Sequence, residues 1–237
     1  MWGPDGVSGP FQTTESYRQS VPMAEFIDEE NKLVVKLVYY GPALSGKTTN
    51  LMRLHDLIAP GSCGELMTFE TKGDRTLFFD LLPLAIRSDN GFCIKLKLFT
   101  VPGQVAHDAT RKAVLSRADG VVFVADSQKS QGVSNFESFD NLEKNVHRVG
   151  LDFDNLPLVI QFNKRDLPDI ISQEEVYGRW QPTGLPITFS SALYDGAGVA
   201  QTFQELLQAT YKRLDAVYEL KAKHGIDADL FEAVFEG

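Results

Sequence analysis

The sequence is poor in the residues that build disulfide or zinc frameworks: its 237 residues include two cysteines, Cys63 and Cys93, and four histidines. Two thiols so far apart do not make a disulfide scaffold, and they fit a reducing compartment. His55, His107, His147 and His224 are scattered and show no metal-ligand spacing. Basic charge is scarce too. The formal net charge is −9, the pI is near 5.0 and no basic run occurs, which opposes a footprint for nucleic acid or an acidic bilayer. No apolar stretch approaches the roughly 20 residues of a membrane span, and no positive segment followed by an apolar one opens the chain. Position 2 is not glycine and there is no cysteine box at the carboxyl end. The expectation is a cytoplasmic protein that depends on partners for any contact with a cell pole or inner membrane surface.

With 43% hydrophobic and 23% charged residues, the chain fits one large α/β domain with short extensions. Residues 1–31 mix Gly, Pro, Ser and Thr without a sustained period and read as a flexible arm. Residues 32–220 read as the domain. Leu33 to Tyr40 is β-rich and stops at Gly41-Pro42, and Lys47 to Ile58 then reads helical. Thr76 to Leu84 and Phe92 to Val101 form a predicted antiparallel hairpin about the turn signal Asp89-Asn90-Gly91. Gly120 to Ala125 and Leu158 to Phe162 read as strands buried on both faces, and Pro186 to Phe189 as a shorter one. Helical stripes fall between and after them, Phe139 to Val149 and Phe203 to Tyr218. The fold class is a doubly wound, mostly parallel sheet of about six strands with helices on both faces. Residues 221–237 carry Ile226, Leu230, Phe231, Val234 and Phe235 among acidic residues, as a short amphipathic tail that packs on its own domain.

Gly41-Pro42-Ala43-Leu44-Ser45-Gly46-Lys47-Thr48 matches G-x-x-x-x-G-K-[ST] between a strand and a helix, the context that a phosphate-binding loop requires. Gly41 and Gly46 let the backbone curl around phosphate, and N–H groups from Ser45 to Thr48 face it, with Leu44 and Thr49 completing the set. Lys47 is expected to bridge the outer phosphates and Thr48 to ligate Mg²⁺. Asn163-Lys164-Arg165-Asp166 follows a buried strand at the carboxyl end of the sheet. There the Asp166 carboxylate can accept from guanine N1 and the exocyclic amine, a donor pair that adenine lacks. Asn163 is expected to tie this loop to the phosphate loop, the Lys164 stem to cover the base, and Ser191-Ala192 to offer a backbone N–H to guanine O6.

Thr100-Val101-Pro102-Gly103-Gln104 ends the hairpin strand beside the phosphate site, where Gly103 N–H meets a γ-phosphate oxygen and Gln104 orients the attacking water. Thr76, in the polar run before the first hairpin strand, is the candidate to complete the Mg²⁺ shell. Arg75 beside it is a cation able to stabilise the transition state from within the chain. Asp80 is lodged among apolar residues, where a carboxylate must find a cation or donors, and is a further candidate for the metal shell.

The runs VYYGPALSGKTTNL, RTLFFDLLPL, TVPGQV, GVVFVADSQ and IQFNKRDLP, from about Leu33 to Leu214, resemble the MglA family of bacterial Ras-like GTPases. TVPGQ in place of D-x-x-G-Q marks that branch. The motifs give GTP/GDP and Mg²⁺ as the expected ligands, and the Ala43 methyl beside the γ-phosphate leads to an expectation of slow intrinsic hydrolysis. The resemblance implies Arg75 as an intrinsic arginine finger, Gln104 as the residue that positions water and Thr76 as the γ-phosphate sensor. It also implies a roadblock-type activating partner and a role in cell polarity or motility. Two other readings are a GTP-loaded scaffold with negligible turnover and a P-loop kinase; the latter would need an acceptor site and an arginine-rich lid, and neither is recognisable.

Overall fold

The computed structural model describes residues 24–27, 31–58, 62–70, 78–87, 91–104, 107–232 and 235. The expected hairpin turn at Asp89-Asn90 and the candidates Arg75 and Thr76 lie outside the described residues. In chain order the elements are β1 (Glu25–Ile27), β2 (Lys32–Tyr40), α1 (Lys47–Leu57), β3 (Met67–Glu70), β4 (Phe78–Arg87), β5 (Cys93–Thr100), α2 (Asp108–Leu115) and β6 (Gly120–Asp126). They continue with α3 (Gly132–Arg148), β7 (Leu158–Asn163), α4 (Gln173–Trp180), β8 (Ile187–Phe189), α5 (Val199–Tyr218), α6 (Leu220–His224) and α7 (Ala228–Glu232).

Strand β2 organises the rest because its side chains alternate between two cores. Leu33, Val35, Leu37 and Tyr39 pack with residues of α1 and α5, whereas Val38 and Tyr40 pack with residues of α2 and α3. A period of two on a sheet covered on both faces requires this division. β6 follows the same rule: Val122 and Val124 face one core, Val121 and Phe123 the other, and every residue of the strand is buried. Those four side chains contribute on the order of 6–12 kcal/mol of burial before the entropy of ordering is offset. The central strands are therefore a rigid base for the loops at their carboxyl ends.

The sheet runs β3-β4-β5-β2-β6-β7-β8, with β1 paired to β2. β2 pairs in parallel with both β5 and β6, and β6-β7 and β7-β8 are also parallel; β4-β5 and β3-β4 are antiparallel. The described sheet thus has eight strands where about six are expected, the additions being β1 and β3. β1 lies inside the segment expected to be an unstructured arm, and it pairs antiparallel with Lys32 to Val34. Tyr218 O–H donates to Ala24 O, and the Phe26 ring lies 4.4 Å from that of His224. The carboxyl end is equally integrated: Leu220 and Ile226 are fully buried, and Phe235 packs against Phe203 at 5.9 Å. Residues 24–27 and Leu220 to Ile226 thus pack on the elements between them.

Candidate nucleotide site

α1 begins without a side-chain cap and without an acidic residue in its first turn, its N-cap being Gly46 at φ 100°. The amino ends of most helices satisfy their orphan N–H groups with Ser, Thr, Asp or Asn, as α4 does through its Ser172–Glu175 capping box. At α1 the donors and the positive end of the dipole are left for an anion. Glycine is required at both ends of the loop. A Cβ on Gly46 would lie 2.2 Å from Asn163 Nδ2, and one on Gly41 (φ 144°) 2.2 Å from Val124 O. Lys47 is buried and donates to Gly41 O at 3.0 Å and Pro42 O at 2.6 Å. Burial, and then the positive charge of Arg111, push its pKa down to about 7, while Asp80 works in the opposite direction. Ser45 is buried, and Leu44, at φ 62°, is largely exposed on the outside of the loop.

Asn163, the last residue of β7, binds three segments together. Its Nδ2 donates to Ser45 O at 2.9 Å, while its Oδ1 accepts from Ser190 Oγ at 2.9 Å and from Ala192 N at 3.1 Å. The N-K-R-D loop is thereby joined to the phosphate loop. The Ala192 N–H, read from sequence as a donor toward the base, is engaged by Asn163 in this structure, and Ser191 Oγ donates to Asp195. Lys164, at φ 66°, gives its ammonium to Asp126 Oδ2 at 2.6 Å. Asp166 is exposed at the mouth of this loop.

The third part of the site lies on the hairpin side. A cavity of about 510 Å³ is lined by Ala43, Lys47, Thr48, Thr49, Asp80 and Gln104, among others. Asp80 is 3% exposed, and hydroxyls surround its carboxylate: Thr48 Oγ donates to it at 2.5 Å, and Thr68 Oγ and Thr100 Oγ at 2.9 Å each. The Asp80 N–H donates to Thr100 Oγ in return. Among the described residues no cation forms an ion pair with it. A buried carboxylate beside a phosphate-loop threonine, in an all-oxygen donor set, fits a hard divalent cation of the Mg²⁺ type. Thr48 and Asp80 are the residues that would hold it.

Gly103 presses against the phosphate loop, and a Cβ there would come within 2.2 Å of Ala43 Cα and 2.3 Å of Ala43 N. Sequence reasoning missed four residues here. Thr68 sits on a four-residue strand too short for a period, and Asp126 ends β6 inside the run GVVFVADSQ, which assigns it no role. Arg111 and Tyr40 are fully buried; Arg111 is bonded to the Pro102-Gly103 backbone and lies over the Tyr40 ring. The available signal for Arg111 was an arginine three residues before Val114, on the apolar stripe of a helix.

This arrangement defines a class. An uncapped helix after a glycine loop, tied through an asparagine to an N-K-x-D loop at the carboxyl ends of parallel strands, is the P-loop fold of a small GTPase. The chain is 43% identical over 179 residues to the mutual gliding-motility protein MglA of Myxococcus xanthus (strain DK1622), a match covering 76% of this chain and 91% of that protein. It belongs to the MglA family of small GTPases. No protein-family model matches the chain.

Proposed function

We propose that the chain is a GTP-binding, Mg²⁺-dependent GTP hydrolase with slow intrinsic turnover, acting as a switch in cell polarity or motility. The observation that supports this reading is the Asn163 bridge, which joins the N-K-R-D loop to the glycine loop before α1. Lys47 and the N–H groups at the start of α1 bind the phosphates. Asp166 reads guanine, with Ser191 and Ala192 closing the base pocket and the Lys164 stem lying along it. Gln104 orients water, Gly103 meets the outer phosphate, and Thr48, Asp80 and Thr76 hold the metal, which neutralises phosphate charge when bound. Arg75 supplies the transition-state cation when a roadblock-type partner, like MglB, moves it into place. Recruitment to a pole or inner membrane surface would come through partners; no described helix is long and apolar enough to cross a membrane.

A second reading is a GTP-loaded scaffold with negligible turnover. Calorimetry with GTP, GDP and ATP, followed by single-turnover hydrolysis, separates the two. The expected preference for GTP over ATP is about 100-fold or more, and Asp166→Ala should remove most of it, because the base donors are then left unpaired. Equal affinity for ATP and GTP in the parent protein would refute the guanine assignment, and tight GTP binding without phosphate release would favour the scaffold.

A further inference from the structure

Arg111 lies on α2, 1% exposed, with a guanidinium occupied on every side. Nε donates to Pro102 O at 2.8 Å, Nη2 makes a short hydrogen bond to Gly103 O, and Nη1 donates to Asn141 Oδ1 at 2.8 Å. Its plane lies over the Tyr40 ring at 5.6 Å. Tyr40 precedes the phosphate loop directly, and its hydroxyl donates to the same Asn141 oxygen at 2.5 Å. Asn141 and Asn145 both donate to Asp108 Oδ1, which anchors the assembly at the start of α2. Among the described residues no carboxylate forms an ion pair with Arg111. A buried guanidinium without a carboxylate partner is costly, and here fixed hydrogen bonds to two carbonyls and an amide, with a ring beneath it, offset that cost.

We propose that Arg111 is a positioning residue of the phosphate site, an inference that rests on the GTP-hydrolysing reading above. A peptide unit is planar and trans, so fixing its oxygen fixes the direction of the N–H on the opposite side. The Pro102 oxygen belongs to the peptide that carries the Gly103 N–H, and the Gly103 oxygen to the one that carries the Gln104 N–H. By gripping both, the Arg111 fork sets the donor assigned to the outer phosphate and the backbone origin of the Gln104 side chain. Tyr40, shared between this clamp and the phosphate loop, keeps the two in register. A lysine has charge but no fork and cannot hold two carbonyls in fixed planes.

The clamp acts on a contact that only a third phosphate makes, and this separates positioning from bulk stability. Arg111→Lys should leave GDP affinity within about twofold, weaken a non-hydrolysable GTP analogue about fivefold, and slow single-turnover hydrolysis about tenfold. Asn141→Ala, which keeps the guanidinium but frees its third arm, should shift the same readouts in the same direction by less, and it carries the test if Arg111→Lys does not fold. Equal losses for GDP and the analogue, or no change in either for a folded variant, would overturn the clamp and leave the parent's GTPase activity standing. A parent chain that binds no guanine nucleotide would remove both this inference and the function it rests on.

Discussion

The two halves of the site are built by different means. The phosphate and base half is held by backbone geometry and by Asn163, within loops at the ends of buried parallel strands. The half proposed to carry hydrolysis is assembled from side chains reaching from separate elements: Thr68 on β3, Asp80 on β4, Thr100 on β5 and Arg111 on α2. A loop whose glycines exclude even a methyl group is specified by sterics and tolerates little. A cluster of hydroxyls, one carboxylate and one guanidinium is specified by hydrogen bonds that can be exchanged one at a time. Damage to the first half should therefore appear as loss of all nucleotide binding, and damage to the second as loss of hydrolysis or metal dependence at retained GDP affinity.

The largest effect is expected at Lys47 and Asn163. Lys47→Ala should abolish measurable binding of GDP and GTP alike. Asn163→Ala should weaken both by about 100-fold or more, since Ser45 O, Ser190 Oγ and Ala192 N would each lose a buried partner worth about 1–3 kcal/mol. Titration with a fluorescent GDP measures both. Tight binding retained by Lys47→Ala would sink the phosphate-loop assignment and, with it, the contrast between the halves.

A smaller, selective effect is expected at Asp80. Asp80→Asn keeps the shape of the side chain but removes the charge that would attract a cation. The Mg²⁺ concentration giving half-maximal single-turnover hydrolysis should rise about tenfold or more, while GDP affinity measured in EDTA stays within about twofold. An unchanged Mg²⁺ profile would remove Asp80 from the metal site and leave its three hydroxyl bonds as purely structural. A parallel fall of GDP affinity in EDTA would show that the halves are not independent.

The first half was legible in the sequence because its chemistry is contiguous: a phosphate loop and N-K-R-D each sit within a few residues, between apolar runs that declare buried strands. The second was legible only at its chain-local points, Thr100 to Gln104 and the apolar setting of Asp80. Thr68 reaches Asp80 through the antiparallel register of β3 and β4, which no local pattern encodes. Arg111 finds its acceptors in carbonyls that face it only after α2 has docked. β1 escaped because three residues are shorter than any period, and its stability comes from pairing with β2 and from the cover of Tyr218 and His224 rather than from its own composition. The helix α4 also went unread, although its Ser172–Glu175 capping box is a sequence signature.

The finest test of the comparison falls where the halves touch, at Ala43. Gly103 approaches the backbone N and Cα of Ala43, so this packing does not depend on the Ala43 methyl. Ala43 lines the cavity together with Lys47, Thr48 and Gln104. On the proposed mechanism, a methyl in that cavity would hinder the Gln104 amide from reaching the attacking water without taking a hydrogen bond from the phosphates. Ala43→Gly should accordingly speed the chemical step about three- to tenfold, equivalent to roughly 1 kcal/mol off the barrier. GTP affinity should stay within about twofold. The added backbone freedom of the unfolded chain acts in the other direction, costing about 0.5–1 kcal/mol of stability, so a slightly lower melting temperature should accompany the faster step. Single-turnover hydrolysis with saturating Mg²⁺, read beside a thermal melt, resolves the two effects. A step that is unchanged or slower at intact affinity means that the loop already absorbs the methyl, and the hydrolysis half is then limited by its own side chains rather than by the phosphate loop.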